Sequence, residues 1–193
     1  MGSRSLLIKF GTISLALLLV GVVFFINYSS PSIGTEIDRY RGVAIYYNGT
    51  SYDQCHGRHF SEDGYYYGEK WQCVEFVKRF YYVLMDHRMP DTMGHAKDFF
   101  DSTVPQGKLN HRRGLVQYRN GGNVKPRGDD LLVFINGKYG HVAIITKVGK
   151  DMIEVVQQNV IGQTRQQFAL TISNGHYYVG EAEQPAGWLR KED

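Results

Sequence analysis

The sequence predicts an α+β fold, one apolar-striped helix early in the chain followed by an antiparallel sheet, on three observations. Cys73, Val77, Phe80 and Leu84 recur at helical spacing, with Val74, Phe76 and Tyr81 widening the stripe. From Leu131 onward, short runs rich in Val, Ile and Leu are separated by turn signals such as Asn136-Gly137 and Asn174-Gly175. Helical pattern first and strands afterwards is the order of an α+β layout rather than an alternating α/β one. A chain of 193 residues, 42% hydrophobic, suits one domain with a proper core plus extra segments.

The extra segment is at the N-terminus. Phe10 to Ile26 carries no charge and is mostly Leu, Val, Ile and Phe. Extended back to Leu6, the stretch reaches the ~20 residues that cross a bilayer. Residues 6–27 are therefore expected to form one transmembrane helix, and a backbone in lipid has to be helical. Residues 1–5 are then cytoplasmic, because Arg4 and Lys9 obey the positive-inside rule, and the rest lies outside, periplasmic or on the cell surface. A cleaved signal peptide is the rival, but Asn27-Tyr28-Ser29-Ser30-Pro31 is a poor cleavage site. Residues 28–40 read as a linker and 41–193 as the exported domain.

Within that domain Ser61 to Lys70, rich in Gly, Tyr and charge, reads as loop. A helix starts near Gln72 and ends by Arg88 to Pro90, since the residue before proline disfavours helix. Ala96 to Phe100 reads as a second, short helix. Pro105 to Gly128 holds Lys108, Arg112, Arg113, Arg119, Lys125 and Arg127 without an acid, and reads as a solvated loop, with contact to an anionic polymer as the alternative. Strands follow at Leu131–Ile135, His141–Val148, Met152–Gln158, Phe168–Ile172 and His176–Val179, with Trp188–Arg190 closing the sheet. The formal net charge of +3 points to no particular partner. There is no phosphate-binding loop and no nucleic-acid motif, so neither a cofactor nor a nucleic acid is expected.

Cys73 sits in the first turn of the striped helix, where free N–H groups and the dipole favour an anion such as a thiolate. A buried structural cysteine is the competing reading. His141 heads a strand, and a hairpin centred on Lys150 pairs positions that sum to 300. That register places Gln157 and Asn159 on the His141 face, where an amide oxygen can fix an imidazole tautomer. Glu154 has the opposite parity and points away. Cys55-His56-x-x-His59 offers metal-ligand types but no fourth ligand, so no metal site is expected. A Cys55–Cys73 disulfide would silence the nucleophile, provided that the two come within reach.

Gly68-Glu69-Lys70-Trp71-Gln72-Cys73-Val74-Glu75-Phe76-Val77 resembles the cysteine block of the CHAP amidohydrolase/peptidase family. Gly128-Asp129-Asp130-Leu131-Leu132-Val133-Phe134, followed by Gly140-His141-Val142-Ala143-Ile144-Ile145, resembles its histidine block. The likeness extends to Gly42-Val43-Ala44-Ile45-Tyr46, Gln158-Asn159-Val160-Ile161 and Gly187-Trp188-Leu189. The resemblance implies a papain-like α+β fold with the cysteine helix packed on the sheet. It also implies amide hydrolysis through an acyl-thioester, with Cys73 as nucleophile and His141 as base. Gln157 or Asn159 would orient His141; acyl transfer needs oxyanion donors, and Gln72 is expected to supply one with the Cys73 N–H, capping of the helix being the alternative. The substrate implied is a peptidoglycan peptide or a small peptide amide of the glutathionylspermidine type. One departure stands out: where the family usually has Glu, this chain has Gln157, which can orient an imidazole but cannot stabilise imidazolium by charge. That departure motivates the rival reading, a catalytically impaired binding module.

Overall fold

The computed structural model describes residues 30–181 and 184–192. The chain divides into two compact units, Met1–Ser32 and Ile33–Asp193, and every helix and strand among the described residues belongs to the second.

Two small hairpins come first. β1 (Glu36–Tyr40) pairs with β2 (Val43–Tyr46), and β3 (Arg58–Phe60) pairs with β4 (Tyr66–Glu69). α1 (Cys73–Met85) follows and ends where Asp86 turns left-handed (φ 46°), its N–H bonding the Tyr81 carbonyl. A single 3-10 turn spans Ala96–Phe99. The remaining strands are β5 (Lys108–Asn110), β6 (Leu115–Arg119), β7 (Leu131–Phe134), β8 (His141–Val148), β9 (Met152–Val156), β10 (Arg165–Ser173), β11 (His176–Val179) and β12 (Gly187–Arg190). They form one sheet in the order β11-β10-β9-β8-β7-β12-β6-β5, all of whose pairs are antiparallel. The sheet also curls back on itself. The stretch after β6 meets the free edge of β11, with Gly121 N–H on the Tyr177 carbonyl at 2.7 Å and Tyr177 N–H on the Gly122 carbonyl at 2.9 Å. The Asn120 side chain pairs with both backbone groups of Val179, so this edge is covered rather than left open.

Alternation along the strands builds two cores, one on each face. Phe76, Val77, Phe80 and Tyr81 of α1 pack against Leu131, Val133, Val142, Ile144, Val156 and Leu189. The inner side of the curl is filled by Leu132, Phe134, Ala143, Ile145, Ile153, Val155, Phe168 and Trp188. Each fully buried side chain of this kind contributes roughly 1.5–3 kcal/mol, so the helix is held to the sheet by its stripe rather than by its own propensity.

The molecule is therefore mostly β, with twelve strands and one α-helix among the described residues, and the expected papain-like α+β class is overturned. The physical reason lies in segments that read as loop. Ser61–Lys70 contains β4, whose Tyr66-Tyr67-Gly68-Glu69 has no apolar alternation to betray a strand. Pro105–Gly128 contains β5 and β6, while its basic residues are exposed apart from Arg113. Arg113 is fully buried and donates to the carbonyls of Asp91, Met93 and Asp98, and Arg119 donates to those of Ser102 and Val104. The second helix shrinks to the 3-10 turn. Among the described residues no helix is long and apolar enough to cross a membrane, so the single-pass membrane placement is not supported. The expected membrane helix, residues 6–27, lies outside the described residues.

Candidate active site

Cys73 is the first residue of α1. Gln72 before it is extended (φ −75°, ψ 159°), so the chain enters the helix at the cysteine. The first N–H groups of a helix have no partner inside it. Here the thiol lies against the N–H groups of Cys73, Val74 and Val142, the last on β8 next to His141. Burial pushes the thiol up to about 11, and those N–H groups only partly offset it.

His141 opens β8 opposite Phe134 of β7. The residue before it has to be glycine. Gly140 has φ 72°, and a Cβ there would lie 2.5 Å from the Phe134 oxygen and 2.6 Å from the Lys97 nitrogen. This close approach lets Lys97 N–H bond the Tyr139 carbonyl at 3.0 Å and seats the 3-10 turn beside the histidine. The His141 Nε2 lies 2.9 Å from Gln157 Oε1. The amide nitrogen of Gln157 lies 3.2 Å from Gln166 Oε1 and 3.5 Å from the Gln163 backbone oxygen, which can only accept. Gln157 therefore turns its oxygen to the ring. Nε2 is the donor and Nδ1 keeps its lone pair. Burial drives the imidazole down to about 4, against the opposing effect of the Gln157 acceptor.

Cys73, His141, Gln157, Gln72, Asn159 and Gln166 all line one cleft of about 800 Å³. Of the residues expected at the site, Gln157 meets His141 and Asn159 does not. Asn159 has φ 65°, which ends strand geometry and swings its side chain to the helix side of the cleft. There its Nδ2 donates to Gln72 Oε1 at 2.6 Å and to the Tyr52 carbonyl at 2.9 Å, and its Oδ1 accepts from Asn48 at 2.7 Å. Gln72 in turn donates to the carbonyls of Gln54 (2.7 Å) and Tyr52 (3.2 Å). Both of its amide hydrogens are thus engaged with the cleft-wall loop that carries Tyr52, Asp53 and Cys55.

Behind the Cys73 end of α1 is a second polar cluster. Glu75, fully buried, accepts from Arg79 Nε at 2.5 Å, from Gln158 Nε2 at 2.7 Å, and pairs with His59 Nδ1 at 2.8 Å. Burial alone would push its carboxyl up, but His59, Arg79 and Gln158 together hold it below the usual carboxylate range. Gln158 also donates to the Gln72 carbonyl (3.0 Å) and accepts from Tyr46 N–H (2.8 Å), so it ties helix, sheet and β2 together. A Cβ on Gly68 (φ 144°) would come within 3.1 Å of the Glu75 backbone, which is why β4 can lie so close to the helix. The residues of the Cys55-His56-x-x-His59 run turn elsewhere. Cys55 donates to Glu69, His56 meets the Asn48 carbonyl and His59 meets Glu75. Cys55 and Cys73 are both free thiols.

A family model for the CHAP domain matches residues 63–159, half of the chain. The chain belongs to the CHAP domain family. It is 29% identical over 171 residues to the bifunctional glutathionylspermidine synthetase/amidase of Escherichia coli strain K12, covering 77% of this chain and 27% of that protein. The protein of that name from Shigella flexneri matches to the same extent. The trypanothione synthetase of Crithidia fasciculata is 29% identical over 117 residues, 56% of this chain and 18% of its own. The chain thus spans about a quarter or less of the length of these curated relatives. The homology in the first case is to the amidase domain, and family and relative together support a CHAP-type amidohydrolase.

Reading the sequence missed Gln166, Gln158, Asn48 and Glu75. Gln158 and Glu75 stood inside blocks already singled out, and their burial was the missing fact. Gln166 had no signal, because the β9–β10 register depends on a loop, residues 157–164, without a two-residue turn motif.

Proposed function

We propose that this CHAP domain, residues 41–193, hydrolyses an amide bond with Cys73 as nucleophile, His141 as base and Gln157 as the group that orients His141. The observation that carries the reading is the Gln157–His141 hydrogen bond, which leaves Nδ1 free in the cleft that also holds the Cys73 thiol. The thiol proton passes to Nδ1 as Sγ attacks the substrate carbonyl carbon. The C–N bond then breaks, and the imidazolium gives its proton to the departing amine. Water, deprotonated by Nδ1, attacks the thioester; the acid leaves and the thiol is restored. Developing negative charge on the carbonyl oxygen has the N–H groups at the start of α1 as donors. Gln72 joins them only by releasing one loop carbonyl. With the thiol pushed up to about 11 and the imidazole down to about 4, the resting pair is neutral, and proton transfer accompanies attack.

The cleft lining contains Asp53 and Glu69 and neither lysine nor arginine. This charge balance favours an amide with a cationic portion, of the glutathionylspermidine type, over an uncharged peptide link, with a peptidoglycan peptide as the second candidate. The test incubates the protein with glutathionylspermidine and with purified peptidoglycan, and identifies products by mass. Release of free amine from the first, lost by at least about 10³-fold in Cys73→Ala, is the expected outcome. A Cys73→Ala protein as active as the wild type sinks the mechanism. Absence of turnover on either substrate by the wild type leaves the binding-module reading.

A further inference from the structure

His141, Gln157 and Gln166 form a line of polar groups running from the catalytic ring to the cleft wall. The ring N–H donates to one amide oxygen (2.9 Å), and that amide's nitrogen donates to the next amide oxygen (3.2 Å). An amide is symmetric in shape and asymmetric in chemistry. Turned by 180°, Gln157 would present its NH2 to Nε2, force the proton onto Nδ1 and remove the lone pair the reaction needs. A carboxylate in its place has no wrong way round. A chain that carries glutamine here therefore needs an acceptor on the far side, and two are present. The Gln163 backbone oxygen is distant at 3.5 Å, while Gln166 Oε1 is the closer.

Gln166 has the same ambiguity one step further out. It is half-buried on β10 and lines the cleft, and among the described residues its amide nitrogen donates to no protein acceptor. Its two hydrogens are thus offered to whatever the cleft binds. We infer that Gln166 is a positioning residue whose amide accepts from Gln157, holds His141 in the tautomer with Nδ1 free, and donates to a carbonyl or carboxylate oxygen of the bound amide substrate. Substrate seated on that NH2 fixes the orientation of Gln166, hence of Gln157, hence of the base. Each bond in such a line polarises the next, so the three act together. The inference rests on His141 being the base proposed above, and goes beyond it by coupling the base to substrate contact.

The test uses the full chain labelled with 15N-histidine, in which ring nitrogen shifts distinguish the two tautomers, together with the rate of Cys73 alkylation by uncharged iodoacetamide. In the wild type His141 carries its proton on Nε2. Gln166→Ala is expected to give averaged ring shifts and about fivefold slower Cys73 alkylation, the worth of one neutral hydrogen bond. Gln166→Glu keeps an acceptor for Gln157 but loses the donor. It should keep the wild-type tautomer and raise the KM for glutathionylspermidine about fivefold. Wild-type ring shifts and alkylation in Gln166→Ala overturn the positioning role, and an unchanged KM in Gln166→Glu overturns the substrate contact. Either failure leaves the loss of activity in Cys73→Ala untouched, so it is separable from failure of the hydrolase reading.

Discussion

Gln157 and Gln158 are neighbours, both almost completely buried, and they serve opposite kinds of site. Gln157 follows the face of β8 and β9 that carries Ala143, Ile145 and Val155, and meets an uncharged imidazole. Gln158 follows the other face and meets Glu75, an ionised carboxylate paired with Arg79 and His59. The protein thus places a buried carboxylate where a guanidinium can hold it, and gives the His141 ring an uncharged amide as its partner. Buried charge here ties the helix start to β3 and to the residue after β9, while the neutral amide on the other face fixes how a ring is turned.

The charged side should give the largest effect. Removing one partner of a buried ion pair leaves the other uncompensated, which costs about 3–5 kcal/mol, whereas replacing both with apolar groups is far milder. Glu75→Gln should therefore lower the melting temperature by roughly 10 °C for a chain of this size. The double change Glu75→Leu with Arg79→Met should recover most of that loss. A Glu75→Gln protein that melts like the wild type would show that the cluster is not holding the helix start, and the contrast with the Gln157 side would collapse.

The two sides were unequally legible in the sequence. The stripe Cys73, Val77, Phe80 announced α1, and the Val/Ile run announced β8, because both are long enough to show a period. The register around the site was readable too: Ile144 pairs Val156 and Ile145 pairs Val155, each summing to 300, before a bulge at Thr146 shifts the far end. Parity extended past Val156 put Gln157 on the His141 face, opposite Ala143, and the structure brings its side chain to the ring. One step further it misplaced Asn159, since a left-handed residue breaks the two-residue period. β3–β6 were hidden because strands of three to five residues with Tyr, Gly and charge present no pattern, and tertiary contacts decide them. The Glu75 cluster was hidden for a related reason. A carboxylate in a helix reads as exposed until its partners on β3 and beyond β9 are known.

On the His141 side the informative change is to give the ring a charged partner. A carboxylate near an imidazole raises its pKa by about 1–3 units. In Gln157→Glu the His141 value should rise from about 4, so the imidazolium survives to higher pH and the thiolate–imidazolium pair forms earlier. The onset of Cys73 alkylation, late in the wild type because the thiol sits at about 11, should move down by one unit or more. The new carboxylate also faces the Gln163 backbone oxygen, an acceptor it cannot bond, so Gln166 has to turn and donate to it. An identical alkylation profile in the two proteins would mean that position 157 does not control the ring.

A smaller effect separates orientation of His141 from the shape of the cleft. Asn159 hydrogen-bonds Gln72, Asn48 and the Tyr52 carbonyl, and among the described residues it makes no hydrogen bond to His141. Its loss should loosen the wall that carries Tyr52 and Asp53 and leave the imidazole as it is. Alanine is a poor probe, because a left-handed conformation costs an ordinary residue about 1–2 kcal/mol on its own. Glycine adopts φ 65° freely and removes only the side-chain contacts. Asn159→Gly is therefore expected to raise KM about threefold to fivefold, the worth of a neutral hydrogen bond to the loop, with the pH profile of Cys73 alkylation unchanged. Asn159→Ala should show the same KM and a lower melting temperature besides. If Asn159→Gly instead shifts the alkylation profile as far as Gln157→Glu does, the loop and the base are one unit, and the two amides cannot be assigned separate tasks.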